Sequence, residues 1–159
     1  MSALADVLLH APNSLSRGER ELIAAYVSSL NDCEFCHRSH AAVASCHLGD
    51  EGSLVEAVVR DAYSAPVAPK MKALLAIAAR VQRSGREVRE DDVARARAEG
   101  ATDVEIHDTV LIAAAFCLFN RYVDGLAALT PTDAAGYRER ARFIADHGYL
   151  AAITRSPTR

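Results

Sequence analysis

Two polar residues, Asn31 and Asp32, cut a long run of helical periodicity in two. Before them, Leu22, Ile23, Tyr26, Val27 and Leu30 recur at the spacing of one helix face. That stretch opens on Ser16-Arg17-Gly18-Glu19, a capping box with Ser16 as N-cap and Glu19 reaching back. After them, a second helix is predicted from about Cys33 to Leu48, stopped by Gly49, with Asn31 or Asp32 as its cap. A chain that turns at Asn31-Asp32 lays the two helices side by side and antiparallel. A chain that runs straight through makes one helix, and different side chains then meet.

The rest of the chain also reads as helix. Ala3 to His10 is a short lead-in, ended by Ala11-Pro12-Asn13. Asp50 starts a short helix through Leu54, Val55, Val58 and Val59, and Ser64 to Pro69 is a loop. Lys70 to Gln82 puts Met71, Leu74, Leu75, Ala78 and Val81 on one face and closes at Ser84-Gly85. Glu90 to Glu99 is a charged helix stopped by Gly100, and Arg86 to Glu99 reads as a solvated face. Thr102-Asp103-Val104-Glu105 is a second capping box, opening the longest helix, through about Leu129. Its middle, Val110 to Phe119, is apolar all round, as in helices buried centrally or at a subunit contact. Thr130-Pro131-Thr132 breaks it, Asp133 to Asp146 makes a last helix, and the tail Ser156 to Arg159 reads as frayed. No stretch reads as a strand. The expectation is one all-α domain over residues 1–159.

Composition agrees and narrows the function classes. Half the residues are hydrophobic, but aromatics are only 6%, a balance that favours helix. Eighteen basic and 21 acidic residues give a net charge of −3. That leaves no electrostatic footprint for nucleic acid and no polybasic membrane patch. Met1 to Asp6 lacks a basic leader, and the apolar run Val110 to Phe119 falls short of the roughly 20 residues that cross a bilayer. The expected location is cytoplasmic, where four cysteines point to catalysis, redox chemistry, metal or plain burial rather than a disulfide framework.

The chemistry concentrates in Cys33-Glu34-Phe35-Cys36-His37-Arg38-Ser39-His40. Cys33 and Cys36 are one helical turn apart, and Cys36 and His40 are at i, i+4, so both pairs share a side. Cys33 is expected in the first turn, where unpaired N–H groups favour a thiolate. If the chain turns at Asn31-Asp32, Glu21 lies roughly 13 Å down the first helix and His40 roughly 12 Å down the second, at about 1.5 Å per residue. Acid and imidazole then meet one turn below Cys36. This set suits thiol redox chemistry: a thiolate takes an oxygen from a peroxide, and a neighbouring thiol condenses with the sulfenic acid. A base and an acid handle the protons.

Arg20-Glu21-Leu22-Ile23, Ser28, Asn31, Cys33-Glu34-Phe35-Cys36 and His40 resemble the E-x11-C-x2-C-x3-H signature of the AhpD-like alkylhydroperoxidases, within the carboxymuconolactone decarboxylase superfamily. Asp108 to Gly125 is similar to the downstream helix of its peroxidase-related members, so the resemblance spans about Leu15 to Leu129. It implies an AhpD-like helical bundle around an antiparallel helix pair carrying the cysteines, working without metal or haem as a homo-oligomer, a trimer or hexamer or else a dimer. It implies Cys36 as the peroxidatic thiol, Cys33 as the resolving thiol and Glu21 with His40 as proton relay. The substrate would be an alkyl hydroperoxide or hydrogen peroxide, and the reductant a dihydrolipoyl or thioredoxin-like protein. The best-known member carries a second histidine between the cysteines; here that residue is Phe35, and His37 follows Cys36 instead.

The residues alone leave alternatives. Helix-end physics favours Cys33 as the more acidic thiol, whereas His40 favours Cys36. Cys33, Cys36 and His40 with Cys46 or His47 could ligate zinc, but ligands from one helix close poorly around a tetrahedral ion. Cys33 to His37 matches the c-type haem pattern, which normally requires export. The same cysteine pair also suits a redox sensor or a dithiol–disulfide carrier. The decarboxylase chemistry of the superfamily's namesake does not rely on a cysteine pair. Cys46 and Cys117 read as buried small hydrophobes. Asn120, Arg121 and Asp124 read as a helix-end or subunit contact.

Overall fold

The computed structural model describes residues 1–154 and, among these, only helices and loops. They are α1 (Ser2–His10), α2 (Arg17–Leu30), α3 (Glu34–Leu48), α4 (Ser53–Arg60), α5 (Pro69–Arg83), α6 (Glu90–Ala98), α7 (Asp103–Gly125) and α8 (Ala134–Thr154), with one 3₁₀ turn at Gly85–Glu87. The expected tail, Ser156 to Arg159, lies outside the described residues.

The chain does turn at Asn31-Asp32. Asp32 takes a left-handed conformation (φ 55°), which Asp tolerates better than most residues. Its N–H donates to the Ser29 carbonyl (3.1 Å), and the Cys33 N–H donates to the Ser28 carbonyl (3.1 Å). This is a Schellman closure of α2, so Asn31 ends the first helix rather than capping the second. The N-cap of α3 is Cys33 itself, with extended backbone (φ −86°, ψ 91°), one residue outside the expected first turn. The chain then runs back along α2. At the far end Gly18 lies against Leu48, where a Cβ on residue 18 would come within 2.7 Å of a Leu48 methyl.

The hub is α2, which packs on α1, α3, α4, α5 and α7. The expected single stripe is wider in the structure: Ala24 and Ala25 are buried along with Leu22, Ile23 and Val27. Small side chains there let neighbours close around the helix. By length and hydropathy α7 would pass for a membrane span, but Ile112, Ala113, Phe116 and Phe119 belong to the core. Its other side, including Leu111, Leu118 and Tyr122, is exposed.

Two helix ends differ from expectation. α7 stops at Gly125 rather than Leu129, because Ala127 turns left-handed (φ 48°). Ala127 N–H then donates to Asp124 O and Ala128 N–H to Val123 O, a second Schellman closure with no glycine to announce it. α8 runs past Asp146 to Thr154 but breaks at Gly148 (φ 83°, ψ 173°). The Asp6 carboxylate of α1 accepts the N–H groups of Tyr149 (2.6 Å) and Leu150 (3.3 Å), capping the segment after the break.

Candidate active site

Glu21 and His40 meet across the α2–α3 pair. Glu21 Oε2 accepts from His40 Nδ1 at 2.7 Å, and the Glu21 residue is 2% exposed. A carboxylate at that distance puts a proton on Nδ1, so in the neutral ring Nε2 is the acceptor nitrogen. The second oxygen, Oε1, accepts from the Tyr149 hydroxyl at 2.6 Å. Phe116 meets the imidazole edge-on, ring centroids 4.6 Å apart. Arg20, beside Glu21 in sequence, turns away and donates to the carbonyls of Leu8 and Ala11, both at 2.8 Å, behind the site.

Cys33 and Cys36 are free thiols, 1% and 4% exposed, and they lie beside each other. Burial pushes the Cys33 thiol up to about 12; the Cys36 N–H pulls it down, while the Asp124 carboxylate and the Cys36 thiol add to the rise. Burial also raises Cys36, with Asp124 adding to the rise, while the Cys33 thiol and the Asn120 amide oppose it by favouring its thiolate. Burial thus opposes the helix-end argument for an acidic Cys33, even though the Cys36 N–H favours its thiolate.

Asn120 reaches this point from near the C-terminal end of α7. Its Nδ2 donates to Ser28 Oγ (3.1 Å), and its Oδ1 accepts from Asn31 Nδ2 (2.8 Å). Gln82 Nε2 donates in turn to Asn31 Oδ1 (2.9 Å). Ser28 and Asn31, conspicuous in the sequence next to the cysteines, thus hold the amide that faces Cys36. Asn120 and Asp124, in the last turns of α7 as expected of a helix end, also lie against the thiols. Arg121, exposed, donates to its own helix at Cys117 O.

The other candidates go elsewhere. His37 Nδ1 lies 3.1 Å from Ala25 O, against the α2 backbone. Cys46 is exposed rather than buried, while Cys117 is part-buried, near Asn31 Nδ2 (3.7 Å). A cleft of about 1310 Å³ opens between α3, α4 and α8, lined in part by Arg38, Cys46, Tyr137 and Arg142; the thiols do not line it. Among the described residues no three His, Cys, Asp or Glu side chains converge as a metal ion would need. Tyr149 had no place in the reading of the sequence. The one available signal was Gly148, a helix breaker directly before it.

The sequence profile described as "Carboxymuconolactone decarboxylase family" matches residues 1–80, the half that carries Glu21, Cys33, Cys36 and His40. The chain belongs to the carboxymuconolactone decarboxylase family. No curated protein matches it significantly. Two solved structures resemble it over most of its length. One is an uncharacterized peroxidase-related protein from Silicibacter sp. TM1040, 29% identical, TM-score 0.76, covering 86% of this chain and 69% of that one. The other, from Ralstonia eutropha JMP134, is described as an alkylhydroperoxidase AhpD core and uncharacterized peroxidase-related protein. It is 27% identical, TM-score 0.78, covering 88% of this chain and 72% of the other. The architecture is that of the AhpD-like branch of the family.

Proposed function

We propose that the protein is a thiol peroxidase that reduces alkyl hydroperoxides or hydrogen peroxide through a Cys33/Cys36 dithiol–disulfide cycle. The observation that carries this reading is the buried Glu21–His40 hydrogen bond on the same helix pair as two adjacent thiols. His40 Nε2 takes the Cys36 proton. The Cys36 thiolate attacks one peroxide oxygen, the O–O bond breaks, and the leaving alkoxide or hydroxide takes the proton back from His40. Sulfur is oxidised by two electrons to the sulfenic acid, and the peroxide is reduced to alcohol or water. The Cys33 thiolate, its proton lost to Asp124 or solvent, then attacks the Cys36 sulfur. The S–O bond breaks, the S–S bond forms, and hydroxide leaves as water on taking up a proton. An external dithiol, of dihydrolipoyl or thioredoxin-like type, reduces the disulfide in the cytosol.

The test is a coupled peroxidase assay with a dithiol donor. Wild type sustains turnover, and Cys36→Ser abolishes it; full turnover in Cys36→Ser would overturn the assignment. A redox sensor or dithiol carrier built on the same pair would oxidise once and show no sustained consumption of peroxide. The decarboxylase activity in the family's name has no need of adjacent thiols, which is why the site favours peroxide.

The reading extends to assembly. We infer that the outward apolar side of α7 packs against a second copy in a homo-oligomer. Val104, Leu111 and Leu118 recur there every seven residues and are exposed.

A further inference from the structure

Dithiol chemistry with an acid–imidazole pair does not call for a tyrosine, yet Tyr149 is built into that pair. Its hydroxyl donates to Glu21 Oε1 at 2.6 Å and lies 3.1 Å from His40 Nδ1. Its ring stacks on the imidazole, centroids 5.7 Å apart and planes 29° apart, while Phe116 meets the same imidazole at 88°. Glu21 therefore holds one donor on each oxygen. A buried carboxyl group with a donor on each oxygen has neither oxygen left unsatisfied.

We propose that Tyr149 is the positioning residue of the proton relay: it fixes the Glu21 carboxyl group and, through it, the Nδ1–H tautomer and orientation of His40, and Asp6 docks the end of α8 to deliver it. The delivery is geometric. Gly148 breaks α8 in a conformation that L side chains rarely adopt, and a Cβ there would lie 2.6 Å from Asp6 Oδ1. The same oxygen accepts the Tyr149 N–H at 2.6 Å. Three elements thus fix one hydroxyl: α1 through Asp6, α2 through Glu21 and α8 through the break at Gly148.

The charged and titratable groups around it act in known directions. Burial raises the Tyr149 phenol well above its usual value, as does the Glu21 carboxylate; Arg140 on α8 opposes and Asp6 adds to the rise. The hydroxyl therefore remains a donor. The field of Glu21 also reaches His10 on α1, His47 on α3 and Arg20 on α2. α7 contributes the apolar Phe116. Removing the Tyr149 hydroxyl leaves Glu21 Oε1 without its donor and frees the carboxyl group to turn, so His40 loses its fixed partner.

The inference rests on the peroxidase reading for the use of the pair, and its test does not depend on turnover. The rate of iodoacetamide modification is followed against pH, cysteine by cysteine, by peptide mass spectrometry. In Tyr149→Phe, which keeps the ring, the Cys36 profile shifts by about one pH unit from that of wild type, while exposed Cys46 keeps its wild-type profile. Imidazole ¹⁵N shifts report His40 with Nδ1–H and bare Nε2 in wild type and a mixture of tautomers in the variant. Gly148→Ala gives the same Cys36 shift with the tyrosine present, and stands in if Tyr149→Phe fails to fold. Superposable Cys36 profiles in wild type and variant, or lost thermal stability with no change in profile, would overturn the proposal. Peroxide consumption is measured alongside: a wild type without turnover but with a tyrosine-dependent Cys36 profile removes the peroxidase reading and leaves the positioning role standing.

Discussion

Two cysteines one turn apart in sequence are inequivalent in space. Cys33 sits outside the helix as its N-cap, 1% exposed, with a carboxylate for company at Asp124. Cys36 sits inside the first turn, with Asn120 and the Cys33 thiol to favour its thiolate. This inequivalence sets the expected order of events: Cys36 is attacked by peroxide first. Dimedone should trap a sulfenic acid on Cys36 in the Cys33→Ser variant and leave Cys33 unmodified in Cys36→Ser; the reverse pattern would exchange the two roles. The motif was legible in the sequence, and so was the meeting of Glu21 with His40, because both arise from helix geometry on either side of one turn. The order of acidity was not. It depends in part on Asn120 and Asp124, far away in sequence, and spacing within a helix carries no information about them.

At the scale of the element, the helix starts were readable where their chemistry is local. Ser16 with Glu19 and Thr102 with Glu105 form the capping boxes that the sequence spells out. The ends of α7 and α8 were not readable. Ala127 is left-handed without being glycine, and Gly148 is a joint only because Asp6, far away in sequence, caps the last turns of α8. A capping residue can also be a tie between helices. Glu105 accepts the Thr102 N–H (2.8 Å) and the Lys70 ammonium (2.9 Å), joining α7 to α5. Burial pushes its carboxyl up, but the Thr102 N–H and Lys70 outweigh this, and the net effect is to hold it below its ordinary value. The unfolded chain then binds the proton more readily than the folded one. The stabilisation is complete above about pH 5, where an unfolded glutamate is ionised, and is lost as pH falls through the lowered native value. Glu105→Gln should cost about 1–2 kcal/mol at neutral pH and progressively less in acid. Urea unfolding at a series of pH values measures this, and a pH-independent difference would refute it.

At the scale of the molecule, an all-α bundle was readable from the helical periods and the lack of strand pattern. Its hub was not. The long apolar helix α7 read as buried centrally or at a subunit contact; one side of it is in the core, the other is exposed, and α2 is the helix that packs on the most neighbours. Leu118 and Leu129 are 57% and 85% exposed on or just beyond that helix. Leu118→Glu should convert the assembly to smaller species by light scattering while leaving the helical circular dichroism intact. A wild-type monomer at micromolar concentration would remove the α7 contact from consideration.

The bond from Tyr149 to Glu21 joins residues 128 apart in sequence. The α2–α3 hairpin is local and can form soon after its own residues leave the ribosome, whereas closure by Tyr149 must wait for most of the remaining chain. During synthesis, therefore, the protein passes through a stage that has both thiols and the acid–imidazole pair but not the third donor. The nascent chain carries the acid–imidazole pair before it carries the residue that completes its hydrogen bonding.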